Sequence, residues 1–175
     1  MATTSADKSL KDLFVHALKD IYYAENAIIK ALPKVISHAK HAELKKGLTD
    51  HLHETEGHVK RLSDVFGELG IKPTSVRCEA IEGILKEGDE VIGEFGTSPA
   101  GDAGIIFACQ AVEHYEINRY GTLLAWAKEL KMAPVAKLLK ATLDEEYKAD
   151  DKLTKLAESG ENREGIVKTA ASAAA

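Results

Sequence analysis

The chain has 175 residues, 45% of them hydrophobic and 29% charged, with a net charge of −5 at pH 7. This length and composition predict one globular domain with a single buried core. The acidic balance argues against nucleic acid as a partner, because phosphate binding requires a basic surface. No apolar run reaches the roughly 20 residues that cross a bilayer, and the N-terminus lacks a secretory segment, so we expect a cytoplasmic protein without a membrane partner. The two cysteines provide no disulfide framework.

Four long amphipathic helices and one shorter helix are predicted. The first begins after Ser9, which forms a capping box with Asp12, and runs to about Lys40. Pro33 lies inside it and is expected to kink or divide the helix, because its ring clashes with the preceding turn. The second long helix is predicted over residues 42–69.

A long crossover is expected to join the second and third long helices. It contains a shorter helix within residues 76–95, followed by a loop in which Ser98 is the expected N-cap and Pro99 the first helical residue. The third long helix should end near Lys131, and Pro134 should open the fourth. The short turn between them predicts antiparallel neighbours, so the chain reads as two antiparallel hairpins in a four-helix bundle.

Acidic residues interrupt the apolar faces of these helices. In the third, Glu113 and Glu116 occupy an inward stripe with alternating three-residue and four-residue spacing, and Glu25 does so in the first. In the fourth, Glu146 lies on the stripe, with Asp150 one turn further along the same face. An ionised carboxylate in an apolar interior is strongly destabilising unless a cation or hydrogen-bond donors compensate it.

The second helix carries Glu54 and His58 at the i,i+4 spacing that places side chains on one face. The remaining candidates on this helix, His51 and His53, are expected to be solvated or to support the ligands from outside, and so is His114 on the third helix.

The chain also resembles two related halves, because Glu25 and Glu54 are separated by 29 residues, as are Glu116 and Glu145. Chance apolar spacing produces the same pattern, so a true repeat and a coincidence both stay open. Glu145 and Glu146 point about 100° apart on a helix, so only one of them is expected to be a ligand. The repeat favours Glu145, whereas the stripe favours Glu146.

Carboxylates from four helices, together with imidazole, form the ligand set of a two-metal site in a bundle core. Oxygen-rich ligands with a little imidazole favour iron or manganese, whereas a structural zinc site would use Cys and His. Open coordination positions on two such ions would permit redox chemistry. The candidate ligands are Glu25, Glu54, His58, Glu113, Glu116, Glu145, Glu146 and Asp150.

Three stretches carry a resemblance to a known family: HLHETEGHVKRL at 51–62, AVEHYEINRYGTLLAWA at 111–127 and LLKATLDEEYKADDKL at 138–153. They resemble the YciF/YciE family of bacterial ferritin-like stress proteins, and the E-H-Y-E-I-x-x-Y-G motif at 113–121 is specific. The resemblance implies an all-α, ferritin-like four-helix bundle related to rubrerythrin that forms a homodimer. The bundle should cover residues 9–158, between a disordered tail at 1–8 and a partly helical or frayed tail at 159–175.

The match to ferritin-like di-iron sites is incomplete. Such sites usually take Glu-x-x-His from the second and fourth helices, but neither Glu54, Glu145 nor Glu146 has histidine at the third following position. His58 and Asp150 stand at i+4 instead. Similarity to rubrerythrin implies reduction of peroxide, and similarity to manganese catalase implies its disproportionation; the inward acids on all four helices also permit oxidation of Fe(II). The redox partner is unknown. The alternative is a non-catalytic structural or metal-buffering stress protein with a degenerate site.

Overall fold

The computed structural model describes residues 8–161, which form five α-helices and no strand. A five-residue π-helical turn, Ala157–Glu161, follows the last helix. The predicted all-α class and helix order are confirmed. Of the two expected tails, residues 1–7 and 162–175 lie outside the described residues. The helices are α1 (Leu10–His38), α2 (Ala42–Glu68), α3 (Glu79–Phe95), α4 (Gly101–Glu129) and α5 (Ala133–Leu156).

The crossover runs along the outside of α1. The Val76 N–H donates to the Lys19 carbonyl (3.2 Å) in the first half of α1, and Lys34 near its end forms an ion pair with Asp89 of α3 (2.7 Å). Since α3 lies parallel to α1, it carries the chain back to the end of the bundle where α1 meets α2. There α4 can begin antiparallel to α1, as the hairpin prediction requires.

One carboxylate ties the start of α4 to the α1–α2 connection. Asp102 accepts hydrogen bonds from the backbone N–H groups of Lys40 (3.0 Å) and His41 (2.7 Å). These donors belong to a short turn between helices and lack intrahelical partners. The contact therefore sets the axial position of α4 against α1, which brings the middles of the long helices to one level.

Two local predictions differ from the structure. Pro33 does not divide α1, because it lies on the exposed side of the helix, where water can solvate the carbonyl that the proline leaves without a donor. Ser98 is not the N-cap of α4: its hydroxyl donates to the Phe95 carbonyl and accepts from the Ala100 N–H, closing a turn before Gly101.

The core follows the predicted stripes. On α1 the apolar residues of the stripe are almost completely buried on both sides of Glu25, and α4 packs against α1, α3 and α5. No helix within residues 8–161 is long and apolar enough to cross a membrane. The buried apolar residues on α1 are Phe14, Leu18, Ile21, Ala24, Ile28 and Leu32.

Candidate metal centre

Four glutamates lie in the middle of the bundle core. Glu25 of α1, Glu113 and Glu116 of α4 and Glu146 of α5 are each 2% exposed or less. Each continues an apolar stripe, so the helix that buries its hydrocarbon neighbours must bury the carboxyl group as well. The predicted burial of these four acids is confirmed.

The second helix contributes differently from the prediction. Glu54 has 37% of its side chain exposed and lies 3.9 Å from Lys152 of α5, outside the cluster of buried acids. His51, expected to be solvated or outside the site, is only 8% exposed. The face of α2 that is buried follows the four-three alternation that starts at Leu44. It consists of Leu44, Leu48, His51, Thr55, His58, Leu62, Val65 and Phe66.

This stripe is the signal that would have found His51 from the sequence. It also shows that the buried i,i+3 pair on α2 is Thr55 and His58, with threonine where Glu-x-x-His sites have glutamate. The Thr55 hydroxyl donates to the His51 carbonyl (2.8 Å) within the helix. The α2 helix therefore presents two imidazoles and no carboxylate to the core.

Six buried side chains form two overlapping groups, and we call these six residues the core cluster. In each group, one nitrogen or oxygen atom from each of four residues lies within 4.8 Å of the corresponding atoms of the other three. The first group is Glu25, His58, Glu116 and Glu146. The second group is His51, Glu113, Glu116 and Glu146.

His58 lies between carboxylates on three sides. Its Nδ1 is 3.0 Å from Glu146 Oε1 and 3.6 Å from Glu25 Oε1, and its Nε2 is 2.9 Å from Glu145 Oε2. Burial by itself would lower the pKa of His58, but the Glu146 and Glu25 carboxylates outweigh it and raise the pKa to about 11. His58 is therefore an imidazolium at neutral pH in the metal-free protein.

His51 has the opposite character. Its Nε2 is 3.5 Å from Glu113 Oε1, yet burial and then the nearby charge of His58 lower the pKa of His51 to about 4. The two histidines of the core cluster thus differ in charge at pH 7, although they are two turns apart on one helix.

The acids share one confined space. Burial, followed by the charge of Glu146, raises the pKa of both Glu113 and Glu116 well above the ordinary value. Burial also raises the pKa of Glu146, to about 7, against the opposing effect of His58. Like charges at this separation cannot all ionise, so the metal-free cluster holds protons at neutral pH.

Apart from His58, whose Nδ1 is paired with Glu146 Oε1, every member of the core cluster has a polar atom without a hydrogen-bond partner among the described residues. A buried polar group in this condition typically destabilises a protein by about 1–3 kcal/mol. A cation bound in either group would give carboxylate oxygens of that group a partner, and carboxylate oxygens with imidazole fit iron or manganese. The atoms are Glu25 Oε2, His51 Nδ1, Glu113 Oε2, both carboxylate oxygens of Glu116, and Glu146 Oε2.

Two further predicted ligands lie outside both groups. Glu145 is partly exposed, accepts from Arg61 of α2 (2.8 and 3.2 Å), and contacts Nε2 of His58. Burial would raise the pKa of Glu145, but Arg61 lowers it below the ordinary value, so this carboxylate stays charged and can orient the imidazole. Asp150 faces the edge of the bundle, 3.3 Å from Nε2 of the exposed His114.

Tyr120 also belongs to the site. This fully buried residue lies one turn beyond Glu116 on the stripe of α4, and its hydroxyl donates to Glu25 Oε1. Burial and the Glu25 carboxylate raise the pKa of Tyr120 well above its usual value. Tyr120 thereby holds Oε1 of Glu25, while Oε2 has no hydrogen-bond partner among the described residues.

The fold and the site define an all-helical bundle with a buried carboxylate–imidazole cluster. The sequence model of DUF892, described as a domain of unknown function, matches residues 9–165. This chain belongs to the DUF892 family. It is 40% identical over 157 residues to Protein YciF from Escherichia coli strain K12, covering 89% of this chain and 95% of YciF, so the resemblance to YciF is confirmed.

Solved structures agree with this assignment. YcfI from Rhodopseudomonas palustris, for which a structural role has been suggested, is 49% identical with a TM-score of 0.83, covering 87% of this chain and 98% of YcfI. The E. coli stress protein YciF is 39% identical with a TM-score of 0.83, covering 88% and 97%. A Xanthomonas campestris protein, XCC3681, shares the fold at 20% identity and a TM-score of 0.68, covering 86% and 91%.

Proposed function

We propose that this protein is a ferritin-like, metal-binding stress protein whose core cluster holds two iron or manganese ions. The observation that carries the proposal is the pair of overlapping four-residue groups that share Glu116 and Glu146. Glu25 and His58 would complete the coordination of one ion. His51 and Glu113 would complete that of the other.

When bound, such ions supply one-electron redox chemistry, and we propose that it serves oxidation of Fe(II) or reduction of peroxide. The residues around the cluster suit that use. Tyr120 and Glu145 hold Glu25 and His58 in place, and Glu113, Glu116 and His58 give up their protons when a cation binds. The apolar stripes above and below exclude bulk water. The 40% identity to YciF, described as a stress protein, supports the stress role.

A second candidate is a structural or metal-buffering protein without turnover. It is favoured by Thr55, which replaces the glutamate of a Glu-x-x-His site in the buried i,i+3 pair of α2. On α5 the histidine is the residue replaced, because Ala149 is the third residue after Glu146. The structural role suggested for YcfI points the same way. This candidate predicts a stable fold without metal and little change in stability when metal is added.

Elemental analysis of protein purified without chelator tests the proposal. About two equivalents of iron or manganese per chain are expected, together with loss of metal in the Glu113→Gln/Glu116→Gln double variant. Glu54→Gln is the matched control, because this acid lies outside both groups and should leave the metal content unchanged. Absence of metal after anaerobic loading with Fe(II) or Mn(II) would exclude the dinuclear site.

Turnover distinguishes the two candidates once metal is bound. Metal-loaded protein should oxidise Fe(II) or consume peroxide faster than the Glu113→Gln/Glu116→Gln variant. Bound metal without either activity would favour buffering. Light scattering tests the proposed homodimer separately, since a dimer also excludes a ferritin-style storage shell.

A further inference from the structure

An apolar cavity of about 70 Å³ leads from the surface of the bundle to one side of the core cluster. All five helices line it, and its inner end is formed by His51 and Glu113. Neither Glu25 nor His58 contributes to its wall within the described residues. The cavity therefore meets the second group and not the residues that distinguish the first. Its apolar wall includes Leu32, Leu48, Ile92, Val112 and Leu153.

Charged groups stand only at the two ends of this cavity or at its rim. Glu54 and Lys152 lie at its outer end, where both side chains reach solvent and lie 3.9 Å apart. Asp89, also at the rim, is paired with Lys34. The walls between the rim and the cluster are hydrocarbon, so water that entered would find few of the two to four polar partners it needs.

The far side of the cluster is closed by other side chains. Glu145 and Arg61 cover His58, and the buried Tyr120 covers Glu25. Within residues 8–161, the apolar cavity therefore reaches the cluster at His51 and Glu113. The His51 side of the core cluster therefore differs from the His58 side in two ways: it borders the cavity, and its imidazole is neutral at pH 7.

We propose that this cavity binds small apolar molecules of the size and polarity of dioxygen and delivers them to the His51–Glu113 side of the cluster. Its volume is about half of the roughly 150 Å³ that accommodates benzene in an engineered apolar cavity, so it suits a diatomic molecule rather than a ring. Hydrogen peroxide lacks hydrogen-bond partners along these walls and is disfavoured. Delivery of dioxygen to the cluster rests on the proposed function, because it requires bound metal. Binding of an apolar molecule in the cavity does not.

Two glycines on α2 provide a cavity-filling variant and a matched control. Gly47 lines the cavity, and a Cβ built there meets no atom within 4 Å, so Gly47→Leu can project into the space without a backbone clash. Gly67 is exposed on the same helix, is also free of contacts within 4 Å of an added Cβ, and lies outside the cavity wall. Both substitutions replace a helical glycine, so their effects on helix propensity are similar.

Xenon serves as the apolar probe, with the metal-free full-length chain. We expect saturable xenon-dependent NMR shifts of the methyl groups of Leu48, Val112 and Leu153 in the parent protein and in Gly67→Leu. These shifts should be lost in Gly47→Leu. Parent protein without such shifts, or equal shifts in both variants, would overturn the proposed binding.

Oxygen uptake tests the access role in protein loaded with equal amounts of Fe(II). Gly47→Leu should consume dioxygen several-fold more slowly than Gly67→Leu; equal rates would overturn delivery through the cavity. Metal content is measured on the same samples. If the protein binds metal but not xenon, the proposed cavity is wrong and the proposed function stands. If it binds xenon but not metal, the proposed function is wrong, and so is delivery of dioxygen to the cluster.

Discussion

Glu116 and Glu146 each offer a carboxylate oxygen within 4.8 Å of a ring nitrogen of His51 and of His58. The two acids come from α4 and α5, neighbouring helices joined by a short turn, and the two histidines from one face of α2. Neither four-residue group exists without this pair of acids. Loss of Glu116 or Glu146 should therefore reduce metal binding more than loss of Glu25 or Glu113, each of which belongs to one group.

Removing a shared acid should affect both ions. Glu116→Gln or Glu146→Gln is expected to reduce bound metal from about two equivalents to less than one, because each group loses a ligand. Glu25→Gln or Glu113→Gln should leave about one equivalent. Elemental analysis with Glu54→Gln as the control measures this. Equal losses in all four variants would contradict two sites with shared acids.

Metal binding should tighten as pH rises. In the metal-free protein at pH 7, His58 carries a proton because its pKa is raised to about 11, and the raised pKa values of Glu113 and Glu116 favour retention of protons among the core acids. A cation must displace those protons, so apparent affinity should increase about tenfold per pH unit for each proton released. Calorimetry of Mn(II) binding in buffers of different ionisation enthalpy counts the protons. Binding that is independent of pH between about 6 and 8 would contradict this account.

The stability of the metal-free protein should change in the opposite direction. The pKa of His58 is about 11 in the folded chain against an ordinary 6.5, so its stabilising effect is complete below 6.5 and is lost as pH rises toward 11. The raised pKa values of Glu113 and Glu116 add to this loss in the same direction. We expect a lower urea midpoint at about pH 9 than at about pH 6.5.

The His58→Gln variant is the control for this pH effect. It lacks the titrating imidazole, so its urea midpoint should fall less between the two pH values. His51 does not contribute in this range. Its pKa is lowered to about 4, so its titration changes the stability only below pH 6.5. A midpoint that stays constant in the parent protein would show that the carboxylates do not hold a proton on His58.

Asp102 should contribute to stability far from the core cluster. Its carboxylate accepts from two backbone N–H groups, those of Lys40 and His41, and Asp102→Ala leaves both without this partner. Because the site is exposed and water can replace the acceptor, we expect a loss of about 1–2 kcal/mol. Urea unfolding measures it, with Asp64→Ala, an exposed position on α2, for comparison. Equal stability of the two variants would mean that the connection does not depend on Asp102.

The sequence alone determined three of the four helix faces. On α1, α4 and α5 the alternating spacing of apolar residues runs through Glu25, Glu116 and Glu146 without a change of phase. A helix has one orientation that buries such a stripe, so the burial of these acids follows from local periodicity. The hairpins follow as well, because short turns leave consecutive helices little choice but to pack antiparallel.

The tertiary structure decided which residues of α2 face the cluster. Glu54 and His58 share a helix face by spacing, yet packing against α1 and α5 buries the stripe of Leu44 and Leu48, which continues through His51. The sequence of α2 carries both patterns, the i,i+4 pair of Glu54 and His58 and the apolar stripe through His51, and packing against α1 and α5 selects the stripe.

The choice between two adjacent acids was also decided by contacts across helices. Glu145 and Glu146 differ by about 100° around α5, and Arg61 of α2 holds the first at the partly exposed edge while the second points into the core. Sequence periodicity determines which stripe a helix buries when the stripe is unbroken. Where a helix carries adjacent charged residues, the oppositely charged residue on the neighbouring helix determines its rotation. The reason is that a charge is stable only beside its counter-charge or in water.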